Sequence, residues 1–179
     1  MRDLCIAVLS TLGRQAPFDR SIPVRTLEFA FPQSTKASEI VIARHKTDSR
    51  IYVVSTLGGI SQSLLVSIVD SHPDEVAEAL ANVEDIDRDK KQLRHGSYVE
   101  TRDTALARDL GWVAFQLLEM EGTGPTSGYP DQVRVKETPF KCLWAVPLTE
   151  DDLEVRKHGL ANLIERFISL ERDHLSLRR

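Results

Sequence analysis

The chain predicts an α/β domain of the α+β type, with a mixed, largely antiparallel β-sheet packed with helices. Three observations predict it. Four strand-like segments joined mostly by short turns crowd the first 70 residues. Amphipathic helical patterns dominate the later part of the chain. Between them and the end lies Phe140–Val146, apolar apart from Lys141, the composition of a strand covered on both faces.

Taken in order, Leu4, Val8 and Leu12 step by four and Gly13 follows, so Arg2–Leu12 is expected as a helix rather than a leader peptide. Val24–Phe31 alternates, with Leu27, Phe29 and Phe31 on one face and Glu28 on the other, as in a half-buried strand. Glu39–Arg44 and Arg50–Ser55 form a hairpin around His45–Ser49. A loop with paired glycines, Thr56–Ser63, leads to a strand over Ser63–Val69. Pro73–Ala81 reads as a helix, and Glu84–Arg94, dense in charge of both signs, as a solvated loop or frayed helix. Thr101–Met120 carries Leu106, Leu110, Val113, Leu117 and Met120 at steps of three and four, which predicts the longest helix. Gly122–Pro130 is a punctuated loop whose Tyr129 is expected to be exposed. Gln132–Lys136 is a short strand. Pro147 is expected to end the strand that begins at Phe140, because proline cannot donate to a ladder. Thr149 then caps a helix that opens with Glu150, Asp151 and Asp152 at the positive end of its dipole. Gly159 breaks that helix, and a second starts at Leu160.

The 179 residues suit one domain spanning 1–179 with a core that needs no staples. A net charge of −4 argues against a general nucleic-acid binder, which needs an excess of Lys and Arg. No apolar run is long enough for a transmembrane helix. Cys5 and Cys142 are too few and too far apart for a disulfide framework or a zinc site, and read as reduced, buried thiols of a cytoplasmic protein. His45, His72, His95, His158 and His174 form no ligand pair and read as surface residues. Trp112 and Trp144 read as core. Gly58-Gly59 is not a phosphate loop, since no Lys follows and the loop feeds a strand. The acids at 150–152 are explained by the helix start without a metal. No cofactor and no catalytic or metal-ligating set is implied. Dispersed residues such as Ser61, His95 and Asp103 are the best case for a hydrolase, and nothing in the sequence places them together. The Gly122–Pro130 loop, with Ser127, Gly128 and Tyr129, is the stretch most suited to a partner.

Several stretches resemble the suppressor of fused domain family. Thr138-Pro139-Phe140, the strand, Pro147-Leu148-Thr149-Glu-Asp-Asp and Gly159-Leu160 are similar to the end of that domain. Ile51–Ser61 resembles its strand followed by a Thr-x-Gly-x-Ser turn, with Thr56, Gly59 and Ser61 at the motif positions and one extra residue. Leu110–Leu118 followed by Ser127-Gly128 is similar to the family's late helix and its Ser-Gly loop. Residues 71–100 have no counterpart, Trp112 lies later than the family's tryptophan, and Tyr-Pro follows Ser127-Gly128 in place of acidic and His residues. The resemblance implies a suppressor-of-fused-like α/β sandwich in which Thr56, Gly59, Ser61, Pro139, Phe140, Pro147, Leu148, Thr149 and Gly159 are structural. Short bacterial members have been proposed as immunity proteins, so it also implies a non-enzymatic domain that binds and blocks a protein, such as a toxin. A homo-oligomeric regulatory or scaffold domain is the second reading and an unrecognised hydrolase the third.

Overall fold

A computed structural model of the protein describes residues 2–13, 24–32, 36–45, 48–57, 63–90, 93–120, 126, 129–171 and 177. The elements are α1 (Arg2–Thr11), β1 (Arg25–Phe29), β2 (Ser38–Arg44), β3 (Tyr52–Thr56), β4 (Ser63–Val69), α2 (Pro73–Lys90), β5 (Tyr98–Glu100), α3 (Ala105–Leu110), β6 (Trp112–Glu119), β7 (Gln132–Val135), β8 (Thr138–Thr149), α4 (Glu150–Lys157) and α5 (Leu160–Ser169). Among the described residues, eight strands form one sheet in the order β1-β2-β3-β4-β8-β6-β5, with β7 paired to β8 off this path. Every pairing is antiparallel except β4 with β8. This is the mixed, mostly antiparallel α+β architecture that the strand spacing predicts.

Strand periodicity sorts the core onto two faces. Along β8, Cys142, Trp144, Val146 and Leu148 pack with α1, α4 and α5, while Leu143 and Ala145 pack with α2 and α3. Along β2, Val41 and Ala43 take the first face and Ile40 and Ile42 the second. A single sheet between two helical layers therefore buries both sides of β8, and residues 142–148 are all buried. The apolar run in the sequence has this cause.

Four expectations are corrected. Thr101–Met120 is not one helix. Its first part forms the short α3, Gly111 ends that helix in a left-handed conformation (φ 72°), and Trp112–Glu119 is strand β6. Leu110–Leu118 is thus mostly strand where the resemblance implied a late helix. β6 lies between β5 and β8 and is covered on both faces, so its apolar residues imitate a helical stripe. A bulge between Trp112 and Ala114 adds to the confusion by changing the parity of the strand: Trp112, Phe115 and Leu117 share one face. Second, Pro147 does not end β8, which continues to Thr149. The last registered pair of the parallel ladder with β4 is Val66–Trp144, so Pro147 lies beyond that register, opposite Phe115 of β6. Third, of the two readings of the charged stretch from Glu84, the helix holds and the solvated loop does not, because α2 runs on to Lys90 and buries Glu84. Fourth, Tyr129 is buried rather than exposed.

The end of the chain follows its sequence closely. Thr149 caps α4, Gly159 takes φ 134° between α4 and α5, and α5 starts at Leu160. Trp112 and Trp144 lie in the core and Cys142 is buried, but Cys5, expected to be buried too, is only half-buried on α1. Among the described residues no helix is long and apolar enough to cross a membrane.

Candidate partner-binding site

The residues singled out from Pro139 onward fall into two sets at opposite ends of β8. Pro139 and Phe140 lie at its start, opposite Arg134 and Val133 of β7. Pro147, Leu148 and Thr149 lie at its end, leading through α4 to Gly159. At about 3.3 Å per residue the two sets are roughly 30 Å apart, so they do not form one site. Each is accounted for locally. Thr56, buried at the end of β3, accepts a hydrogen bond from the Leu65 N–H on its Oγ1 at 3.0 Å and locks β3 to β4. Gly59, Ser61, Ser127 and Gly128 lie outside the described residues.

Tyr129 stands at the starting end of β8. Its ring packs against the His45 ring, with centroids 5.2 Å apart, and its hydroxyl has no hydrogen-bond partner among the described residues. Burial pushes the phenol's pKa well above its usual value. Beside it, Glu119, Met120, Asp131, Lys141 and Cys142 line a cleft of about 450 Å³. An ion pair between Lys141 and Glu119 spans this wall and holds the Glu119 carboxyl below its ordinary range. Burial, with the charge of Asp131 second, pushes the Cys142 thiol up to about 12, so it is not a nucleophile at neutral pH.

The hydrolase constellation does not assemble. His95 accepts the Glu119 N–H on Nδ1 at 3.0 Å, at one end of β6. Asp103 follows Thr101, whose N–H bonds the Val113 carbonyl at the other end. Six residues of strand separate those anchors by roughly 20 Å, and Ser61 lies outside the described residues. Among the described residues, no group of three or more His, Cys, Asp or Glu side chains could hold a metal ion.

A surface the sequence did not single out has the better geometry for a partner. Among the described residues, β1 and β5 end the main path of the sheet, and β7 ends a branch beside β8. β5 is short, and Arg156 lies over its Tyr98 ring while donating to the Gly96 carbonyl at 2.6 Å. This shortens and covers the edge, as natural sheets do. β1 is longer, and beside it a groove of about 380 Å³ runs between the strand and the first two turns of α2. Leu27 and Phe29, half-buried, give the groove an apolar side, and Glu28, Asp74, Glu75 and Glu78 make it acidic. Asp74 and Glu75 sit in the first turn of α2, where its dipole favours them, and Glu28 lines the groove from β1. Arg25 engages Asp74 at 2.6 Å, and Glu78 accepts the Ala105 N–H at 3.2 Å. Glu28 and Glu75 complete the acidic lining. The alternation of Leu27, Glu28 and Phe29 was legible in the sequence. That α2, some 45 residues later, lies beside it was not.

Comparison with family models and with curated proteins finds no match. Among solved structures, the chain is similar to a crystal structure described as that of a candidate SUFU (suppressor of fused protein) homolog from Neisseria gonorrhoeae FA 1090. The TM-score is 0.64 at 18% identity, and the match covers 100% of this chain and 96% of that one. An agreement in three dimensions over the whole length, at so low an identity, establishes the architecture: the chain has a suppressor-of-fused-like fold.

Proposed function

We propose that this protein is a non-enzymatic domain that binds a protein partner and blocks it, in the manner of an immunity protein against a toxin. The observation that carries this reading is the groove beside β1. An edge strand offers backbone donors and acceptors to a strand from another chain, and the alternation of Leu27 and Phe29 offers side-chain selectivity. The acidic lining selects a basic segment, and the overall charge of −4 has the sign that speeds its approach. The partner is thus a protein with an extended, Lys- or Arg-bearing segment, as a nucleic-acid-cutting toxin would have. The suppressor-of-fused-like fold supports the reading because the short members that the sequence resembles have been proposed in that role.

The test is capture from the native cell with two baits, the unmodified chain and a Leu27→Asp/Glu28→Lys double variant, followed by reconstitution from purified components. The reading expects one stoichiometric, basic protein on the first bait, lost from the second and weakened by raising the salt. It also expects the unmodified chain to suppress that protein's toxicity. A partner retained equally by both baits would sink the β1 assignment. A purified partner with no toxicity would sink the immunity role.

A further inference from the structure

Resting on the β1 reading above, we infer that the partner segment pairs antiparallel with β1 and carries two adjacent basic residues, one for a pair of carboxylates on each face of the sheet. The ladder register shows which backbone groups of β1 are open. The Leu57 N–H donates to the Glu39 carbonyl at 2.8 Å, and the His45 N–H to the Ile51 carbonyl at 2.9 Å. Both pairs continue the register of β2 with β3. Backbone groups alternate sides along an antiparallel strand, so those of Glu39, Val41 and Ala43 turn toward β3. Those of Ser38, Ile40 and Ile42 turn toward β1, opposite Phe29, Leu27 and Arg25. By the same alternation, Thr26 and Glu28 turn their N–H and C=O groups away from the sheet. Among the described residues nothing pairs with these groups.

Side chains alternate as well. Leu27 and Phe29 pack toward α2, where Glu75 and Glu78 are neighbours on the helix and His72 lies 3.6 Å from Glu75. Thr26 and Glu28 take the other face, and the Thr26 side chain is hydrogen-bonded there to Cys5 of α1. Glu28 stands directly opposite Glu39. The pair is of the non-hydrogen-bonded kind, whose Cα atoms are only about 4.5 Å apart. Like charges so placed repel, and among the described residues neither carboxylate has an ion-pair partner. A strand added at this edge bonds Thr26 and Glu28. Antiparallel pairing continues the pattern of β1 to β4 and is the more stable per residue. The added residue opposite Glu28 then lies beside the Glu28 and Glu39 carboxylates. The one after it, opposite Leu27, points to the other face, with its stem along Leu27 and Phe29 and its charge toward Glu75 and Glu78. The one before both lies opposite Phe29 and is apolar. A second copy of this chain would bring its own Glu28 and α2 acids to the edge, so the sign of the charge selects a basic partner instead.

The test titrates the isotope-labelled full chain with two hexapeptides of one composition, Thr-Val-Lys-Lys-Thr-Thr and Thr-Val-Lys-Thr-Lys-Thr, and follows the β1 amides by NMR. The first peptide sends its lysines to opposite faces, the second sends both to one. Before peptide is added, the Thr26 and Glu28 amides should exchange with solvent faster than those of Leu27 and Phe29. The first peptide should protect Thr26 and Glu28 and bind about two- to fivefold more tightly than the second, the worth of one exposed ion pair. Glu28→Gln should erase that preference while the groove still binds. Equal affinity for the two peptides, with Thr26 and Glu28 still protected, overturns the two-faced register and leaves the β1 reading standing. Thr26 and Glu28 resonances that stay in place at millimolar peptide overturn the edge as the docking strand, and the β1 reading with it. Protection of the same two amides by raised protein concentration alone assigns the edge to a second copy and overturns the basic partner.

Discussion

Thr149 and Asp152 satisfy each other across the first turn of α4. The Asp152 N–H donates to Thr149 Oγ1 at 3.3 Å, and the Thr149 N–H donates to Asp152 Oδ2 at 3.0 Å. Asp152 is nearly fully buried, and its other oxygen accepts from Arg166 Nε of α5 at 3.1 Å. One carboxylate thus joins the end of β8 to both final helices. Asp152→Ala should cost about 2–3 kcal/mol, the sum of a lost cap and a partly buried guanidinium left with only the Asp151 carboxylate, 3.9 Å away. In a chain of this length that lowers Tm by about 4–12 °C. Asp152→Asn, which keeps an acceptor for the cap, should lose less. Thermal unfolding of the two variants side by side checks the order.

Removing the Tyr129 hydroxyl should help the fold. It is buried without a partner among the described residues, and such a group costs about 1–3 kcal/mol in desolvation. Tyr129→Phe keeps the ring against His45 and should raise stability by up to about 1 kcal/mol, whereas Tyr129→Ala opens a cavity and should lower it by about 3 kcal/mol. Urea midpoints at unchanged m-value decide it. A destabilising Tyr129→Phe would mean that the hydroxyl is bonded in solution.

Acid should destabilise the protein through exposed ion pairs. Hydrogen bonds from the Arg50 side chain and then its backbone hold Asp48 down to about 2. The Arg102 guanidinium holds Glu150 below its ordinary range, with hydrogen bonds of 2.6 and 2.8 Å, and Lys141 does the same for Glu119. These folded pKa values lie below the unfolded ones, so the unfolded chain binds more protons in acid. The stabilisation is complete above the unfolded pKa values and is lost as pH falls through the folded ones. For Asp48 that window runs from about 4 to about 2. Tm should fall on acidification through this range. Asp48→Asn and Glu150→Gln should each flatten the fall, and added salt should weaken it. A Tm that rises toward pH 3 would contradict the assignment.

The two thiols should differ. Burial pushes Cys142 up to about 12 and raises Cys5 as well, but Cys5 is only half-buried. With Ellman's reagent at pH 8, the folded protein should release no rapid equivalent from Cys142 and a slow one from Cys5, and both should react at once in denaturant. Two rapid equivalents without denaturant would place Cys142 at the surface.

The sequence by itself determined the elements whose signals are local. The cap at Thr149 with its acids, the break at Gly159, the amphipathic α5 and the hairpin of β2 and β3 each rest on residues that touch their near neighbours in the chain. It also determined that β8 is covered on both faces, because an apolar run with so little polar face has no other stable place. β6 shows where this reading stops. A strand buried on both sides loses its period of two, and a bulge shifts what remains, so Trp112–Glu119 kept a false helical period. The local signal was Gly111, a helix-ending glycine before an aromatic and a β-branched residue. Only the tertiary structure could decide the rest. Pro147 is tolerated because its outer side lies beyond the registered β4 ladder, and Tyr129 is buried because its ring meets His45. The groove beside β1 joins residues about 45 positions apart. Local propensity fixes how a segment bends, but the long-range order of strands in the sheet decides which segments meet, and the candidate binding surface lies at such a meeting.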